Sequence, residues 1–129
     1  MADRPTKLEL LEAVQKFLDS ELMPELEGVR RFHTRVASNV LGIVRRELAL
    51  EGEQLPERFA RLAGLLERSD APPADPEALA QAIEALETEV CERIRAGEAD
   101  AGAWRDTLLR HLQADVRERL AIDNPRYAE

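Results

Sequence analysis

Apolar residues in this chain recur at spacings of three and four from one end to the other, and no stretch alternates apolar with polar at period two. The first pattern lines one face of a helix, and the second would line one face of a strand. Aromatic and β-branched runs of strand length are missing as well. The chain therefore reads as all-α. Its prolines fall at the N-terminus, in connections and in the C-terminal tail, which predicts a single five-helix bundle over residues 1–129 with short, mostly antiparallel connections and a long central second helix. A chain of 129 residues can bury roughly two-thirds of its unfolded surface, enough for a core without disulfides or a structural metal.

The first helix is signalled by Thr6 followed three residues later by Glu9, a capping box, and by the stripe Leu10, Leu11, Val14, Phe17, Leu18 and Leu22. Met23-Pro24 ends it and Gly28 marks the break that follows. The second helix spans Val29 to Leu50, with Gly52 as its closing glycine. A third, Pro56 to Arg68, would bury Phe59, Leu62, Leu65 and Leu66. After the loop Ser69 to Ala74, Asp75 and Pro76 supply an N-cap and a first-turn proline, and Leu79, Ile83, Leu86, Val90 and Ile94 follow as a clean amphipathic stripe up to Gly97. The last helix, Ala103 to Ile122, would turn Leu108, Leu109, Leu112, Val116 and Leu120 inward, with Trp104 as a core anchor near its start.

The second helix carries polar residues where a core-facing stripe should be apolar. Val29, Val36, Val40, Ile43 and Val44 share a face, and His33 and Glu47 fall near its middle with Asn39 at its edge. A carboxylate inside an apolar stripe is costly unless paired, so Glu47 is expected to be at least partly buried and to meet Arg119 or His33. Two readings stay open. The four residues His33, Asn39, Glu47 and Arg119 could line a pocket for a small anionic or polar ligand, or they could form a structural network that fixes how the second helix docks on the last; in a milder form of the second, Glu47 lies near the helix end with its carboxylate reaching solvent. On the opposite side Ser38, Gly42 and Ala49 would admit a close helix; if that surface were left open it would be the seam of a homodimer.

The net charge of −8 argues against a nucleic-acid binder, which needs a basic footprint. Charge is unevenly spread: Gly28 to Gly52 holds five arginines against two glutamates, whereas Pro76 to Ala101 holds two bases against seven acids. Attraction between helices accounts for such a pattern, although the strip Arg30, Arg31, Arg45 and Arg46, with the Arg126-Tyr127 tail, could instead contact an acidic protein partner. A lone cysteine, Cys91, suits a reducing compartment, and neither a signal core nor a bilayer-length apolar run is present, so the cytoplasm is expected and a membrane is not.

Catalytic chemistry finds little support. A di-iron bundle needs Glu-x-x-His, yet Arg30 precedes His33 by three residues and Leu108 precedes His111. One cysteine and two distant histidines do not make a zinc site, phosphate-binding glycine loops are absent, and no nucleophile emerges with a base beside it. No cofactor or metal is therefore expected.

The phrases Asp3-Arg4-Pro5, Phe32-His33-Thr34-Arg35-Val36-Ala37-Ser38-Asn39, Arg46-Glu47-Leu48 and Asp123-Asn124-Pro125-Arg126-Tyr127 resemble those of a family of small all-helical bacterial proteins, a domain of unknown function. The resemblance runs from the Asp-Arg-Pro start to the Asn-Pro-x-Tyr end. Members tend to be encoded beside phosphotransferases similar to aminoglycoside and choline kinases and beside acyl-CoA dehydrogenases. The resemblance thus implies association with such enzymes rather than a mechanism. Two functional expectations follow: a non-catalytic accessory protein that binds a partner, or a small-ligand-binding bundle, with minor catalysis at most, using the polar residues of the second helix.

Overall fold

The computed structural model describes residues 3–127, all-helical with no strand among them. Four α-helices form: α1 (Lys7–Phe17), α2 (Gly28–Leu65), α3 (Pro76–Arg95) and α4 (Ala103–Asp123). A π-helical turn, Leu18–Leu22, and a 3-10 turn, Met23–Glu25, lead from α1 to α2, and a further 3-10 turn, Pro125–Tyr127, follows α4. The expected capping box is present, with Thr6 and Glu9 exchanging two bonds of 3.2 Å. Asp75 caps α3 by accepting from the Ala78 amide at 2.9 Å.

The expectation of five helices is corrected to four. The second and third predicted helices are one, a 38-residue α2 that runs straight through Gly52 and Pro56. These residues carry real stop signals, worth about 1 kcal/mol for glycine and about 3 kcal/mol for proline relative to alanine. Pro56 has no amide to donate to the Gly52 carbonyl four residues back. Packing on both sides of the interruption outweighs that loss. Leu55 packs against the core, Gln54 donates to the Glu118 carbonyl at 3.3 Å, and Arg58 and Phe59 engage the neighbouring helices within the next turn.

The core lies at one end of α2. Phe59, Leu62, Ala63 and Leu65 meet Leu79, Ile83, Leu86 and Val90 of α3 and Leu108 of α4, with Trp104 packed alongside. The Trp104 indole donates to the Leu65 carbonyl at 2.9 Å, and the Arg93 guanidinium lies 4.4 Å over its ring while donating to the same carbonyl. The expected amphipathic stripe of α3 is therefore the one that packs, from Leu79 to Val90.

The other half of α2 meets α1 instead. Ser38 and Gly42 are buried beneath it: the Ser38 hydroxyl donates to Asp19 at 2.6 Å, Gln15 donates to the Ser38 carbonyl at 3.0 Å, and Arg45 donates to Gln15 at 2.6 Å. A Cβ on Gly42 would stand 3.1 Å from the Gln15 amide nitrogen, which is why a small residue sits there. The small-residue surface expected to be a dimer seam if open is thus covered within the chain at Ser38 and Gly42. The face turned directly away from α1 is the open one: Val29, Phe32, Val36, Val40 and Val44 are 37–70% exposed.

Two helices end in the same way. After α3, Glu98 donates to the Arg93 carbonyl and Gly97 to Ile94, with Gly97 at φ +90°. After α2, Arg68 donates to the Ala63 carbonyl and Glu67 to Gly64, with Glu67 at φ +58°. The second of these terminations places a side chain in the left-handed region that glycine occupies in the first. Glu67→Gly is expected to stabilise the protein by about 0.5–1 kcal/mol, read as a higher urea midpoint with an unchanged m-value.

Candidate functional site

Helix α4 faces α2 along Leu108, His111, Asp115, Glu118 and Ile122, a seam at spacings of three and four. The expected inward stripe of α4 is only partly correct, because Leu109, Leu112 and Val116 are 43–56% exposed. Between the buried Leu108 and Ile122, what turns inward is polar, and α2 answers it. Arg61 donates to Asp115 at 3.0 Å and to Glu118, and its Nε donates to the His111 Nδ1 at 3.3 Å. Arg58 lies 3.3 Å from Asp115, and the His111 Nε2 is 3.4 Å from the same carboxylate. The bonds define the tautomer: Nδ1 accepts, so Nε2 carries the proton. Burial, with Arg61 and Arg58 adding to it, pushes the His111 pKa down against the opposing pull of Asp115 and Glu118. Burial also raises the Glu87 carboxyl on α3, and the nearby Asp115 charge adds to the rise.

A network joining the second helix to the last was one of the two expectations, but these are different residues and the signs are reversed. The cations stand on α2 and the anions on α4. Arg119 pairs with Asp123 of its own helix at 2.8 Å, and Glu47 is exposed with no ion-pair partner among the described residues. The expected pairing of Glu47 with Arg119 or His33 is therefore not formed. Glu47 lies on the open face of α2, where water replaces the partner that burial would have required.

Where α2, α1 and the C-terminal turn converge, a polar cleft of about 570 Å³ opens between Gln15, Asn39, Gly42, Ile43, Arg46 and the run Asp123 to Tyr127. Helix α4 ends at Asp123, and Pro125–Tyr127 follows as a single 3-10 turn against the end of α4, so that this run and α2 form opposite walls of the cleft. Arg46 anchors the junction, its Nε donating to the Ile122 carbonyl at 2.7 Å. The remaining guanidinium nitrogens of Arg46 lie beside Gly42, and Arg46 has no ion-pair partner among the described residues. Asp123 at the mouth is neutralised by Arg119.

Of the residues singled out in the sequence, Asn39 and Tyr127 meet in this cleft and Arg119 acts at its edge through Asp123. His33 and Glu47 lie outside it; His33 is exposed and touches the Phe32 ring edge-on at 5.7 Å between centroids. Arg30 and Arg31 are exposed near the start of α2, roughly 22 Å along the axis from Arg46, so they and Tyr127 do not form one patch. Arg46 and Arg126 are expected from the sequence only as parts of a basic strip and a tail that meet a partner, and Asn124 has no expected role. The signal that could have placed Arg46 in a cleft is its position one turn past Gly42.

The cleft offers donors: two guanidinium groups, three carboxamides and a phenol. Its one carboxylate, Asp123, is held by Arg119, so the remaining polar groups that line the cleft are mainly donors. Among the described residues no three His, Cys, Asp or Glu side chains are grouped as a metal site, and no helix is long and apolar enough to cross a membrane.

Residues 24–127 match DUF6285, a domain of unknown function, and the chain belongs to that family. The match leaves out Asp3-Arg4-Pro5 and all of α1. No curated protein and no solved structure matches the chain.

The lowered His111 pKa has a consequence for stability. Below about pH 6.5 the unfolded chain takes up a proton that folded His111 refuses, so folding stability falls as the pH drops through that value towards the folded pKa. Urea titrations at pH 7.5 and 5.5 are expected to show a smaller loss in His111→Gln than in the wild type.

Proposed function

We propose that this protein is a non-catalytic accessory chain that acts by binding other proteins through the open face of α2. The observation that carries this reading is the row Val29, Phe32, Val36, Val40 and Val44, five large apolar side chains exposed on one helix of a small acidic protein. Isolated exposed apolar residues are ordinary, but a contiguous row of this kind marks an interaction surface. The donor-rich lining of the polar cleft, whose one carboxylate is held by Arg119, supports a binding role over a catalytic one. The family resemblance supplies the partner class: a kinase-like phosphotransferase or an acyl-CoA dehydrogenase, met in a bacterial cytoplasm. Arg30 flanks the face and would add a polar contact at its margin.

A second reading is favoured by Arg46. In a chain of net charge −8, a half-buried guanidinium without a carboxylate partner at the wall of a cleft is suited to a small carboxylate or phosphate, with Asn39 and Tyr127 adding neutral donors. This keeps the ligand-binding alternative but moves it from the His33 and Glu47 face to the C-terminal turn.

The two readings separate by experiment. Tagged wild type and Val40→Lys are compared for capture of the phosphotransferase-like protein and the acyl-CoA dehydrogenase from native lysate, with wild type expected to retain at least about tenfold more of one of them. Equal capture by both proteins, or by neither, would remove the open face from the function. Calorimetry with inorganic phosphate and citrate tests the cleft, where heat of binding present in wild type and lost in Arg46→Gln is the expected signature.

A further inference from the structure

We infer that, in the free protein and until a partner enzyme displaces it, the open α2 face is occupied by a second copy of this chain, lying antiparallel across it about a two-fold axis at Val40. This deepens the proposal that the face is an interface and rests on it. An isologous contact requires a surface complementary to itself, with each residue at one distance before the axis meeting the residue at the same distance after it. The face has that property. Val40 meets its own copy, Val36 meets Val44, and His33 meets Glu47, seven residues to either side. At 100° per residue all five lie within about 40° of the Val40 direction, so they form one strip rather than a spiral.

Charge distinguishes this register from others. His33 and Glu47 are both exposed, and neither has an ion-pair partner among the described residues. The antiparallel pairing places an imidazole opposite a carboxylate twice, once at each end of the valine strip, about 10 Å from the axis. There they stay at the rim, where hydration keeps their cost low, while the valines between them leave water. A parallel pairing would set Glu47 against Glu47. Access is unobstructed: α1 packs against Ser38 and Gly42 on the far side of α2, and the polar cleft borders one flank at Asn39 and Ile43. The polar residues that look misplaced in an inward stripe are thus placed for an outward one.

The experiment uses the full chain. Sedimentation velocity of purified wild type is expected to show a concentration-dependent dimer, weakened about tenfold in His33→Glu, where carboxylate would face carboxylate, and restored in the double variant His33→Glu with Glu47→Lys. In a Cys91→Ser background, Val40→Cys is expected to form a disulfide-linked dimer on mild oxidation. Val29→Cys is not, because its copy would be roughly 33 Å away along the axis. Circular dichroism of each variant verifies the fold. A wild type that stays monomeric at ~100 µM, a concentration high enough to populate even weak dimers, overturns the inference; so does a dimer with no rescue or no Val40→Cys cross-link. Because the purified chain reports self-pairing alone, such a failure is distinct from loss of enzyme capture by Val40→Lys, which tests the face itself.

Discussion

The continuity of α2 through Pro56 is the constraint on which the rest of this molecule depends. One rigid rod of 38 residues serves two sets of neighbours, with the apolar core built around its last two turns and α1 packed beside its first half. A rod of that length spans about 57 Å, too long for a chain of this size to cover on every side. Some of its surface must stay open, and the residues that stay open are apolar. The same helix ties down the end of α4, because Arg46 donates to the Ile122 carbonyl.

Where α2 and α4 meet, the protein uses guanidinium and carboxylate groups in place of leucines. Arg58 and Arg61 bridge to Asp115 and Glu118, with His111 buried between them. Such networks add little net stability compared with an apolar contact, but they resist sliding, since a shift of one turn would strand every charge. Register matters here: the cleft at the end of α4 exists only if Asp123 arrives opposite Arg46.

Much of the local structure was legible in the residues. The Thr6 capping box, the Asp75 cap, the Gly97 stop and the α3 stripe are each set by interactions or spacings within a turn or two, which a single sequence exposes. The helix count was not, because Gly52 and Pro56 are genuine local stop signals and only tertiary contacts at Gln54, Leu55 and Arg58 override them. Nor was the sense of the valine stripe. Periodicity identifies a face but not what lies against it, and the assumption that an apolar face turns inward reversed the outcome for Val29 to Val44. His33 and Glu47 were recognised as anomalous in a core-facing stripe, and they are ordinary on an exposed one. Asn39 and Tyr127 came together through the 3-10 turn Pro125–Tyr127 at the end of α4, a long-range meeting that no spacing in the sequence records.

Helix α1 takes on a different meaning in this light. The family match begins at residue 24, so α1 is an addition to the matched region, yet it occupies the side of α2 opposite the valines, sealed by Gln15 and Asp19 against Ser38. A helix open on two opposite sides can be joined on both, and copies added in that way need never stop; a helix open on one side closes after a single partner. By filling one side with a segment of its own chain, the protein replaces one surface with another: the flank of α2 at Ser38 and Gly42 is closed, and the outer side of α1, with Leu10, Val14 and Phe17 each about half exposed, stands in its place.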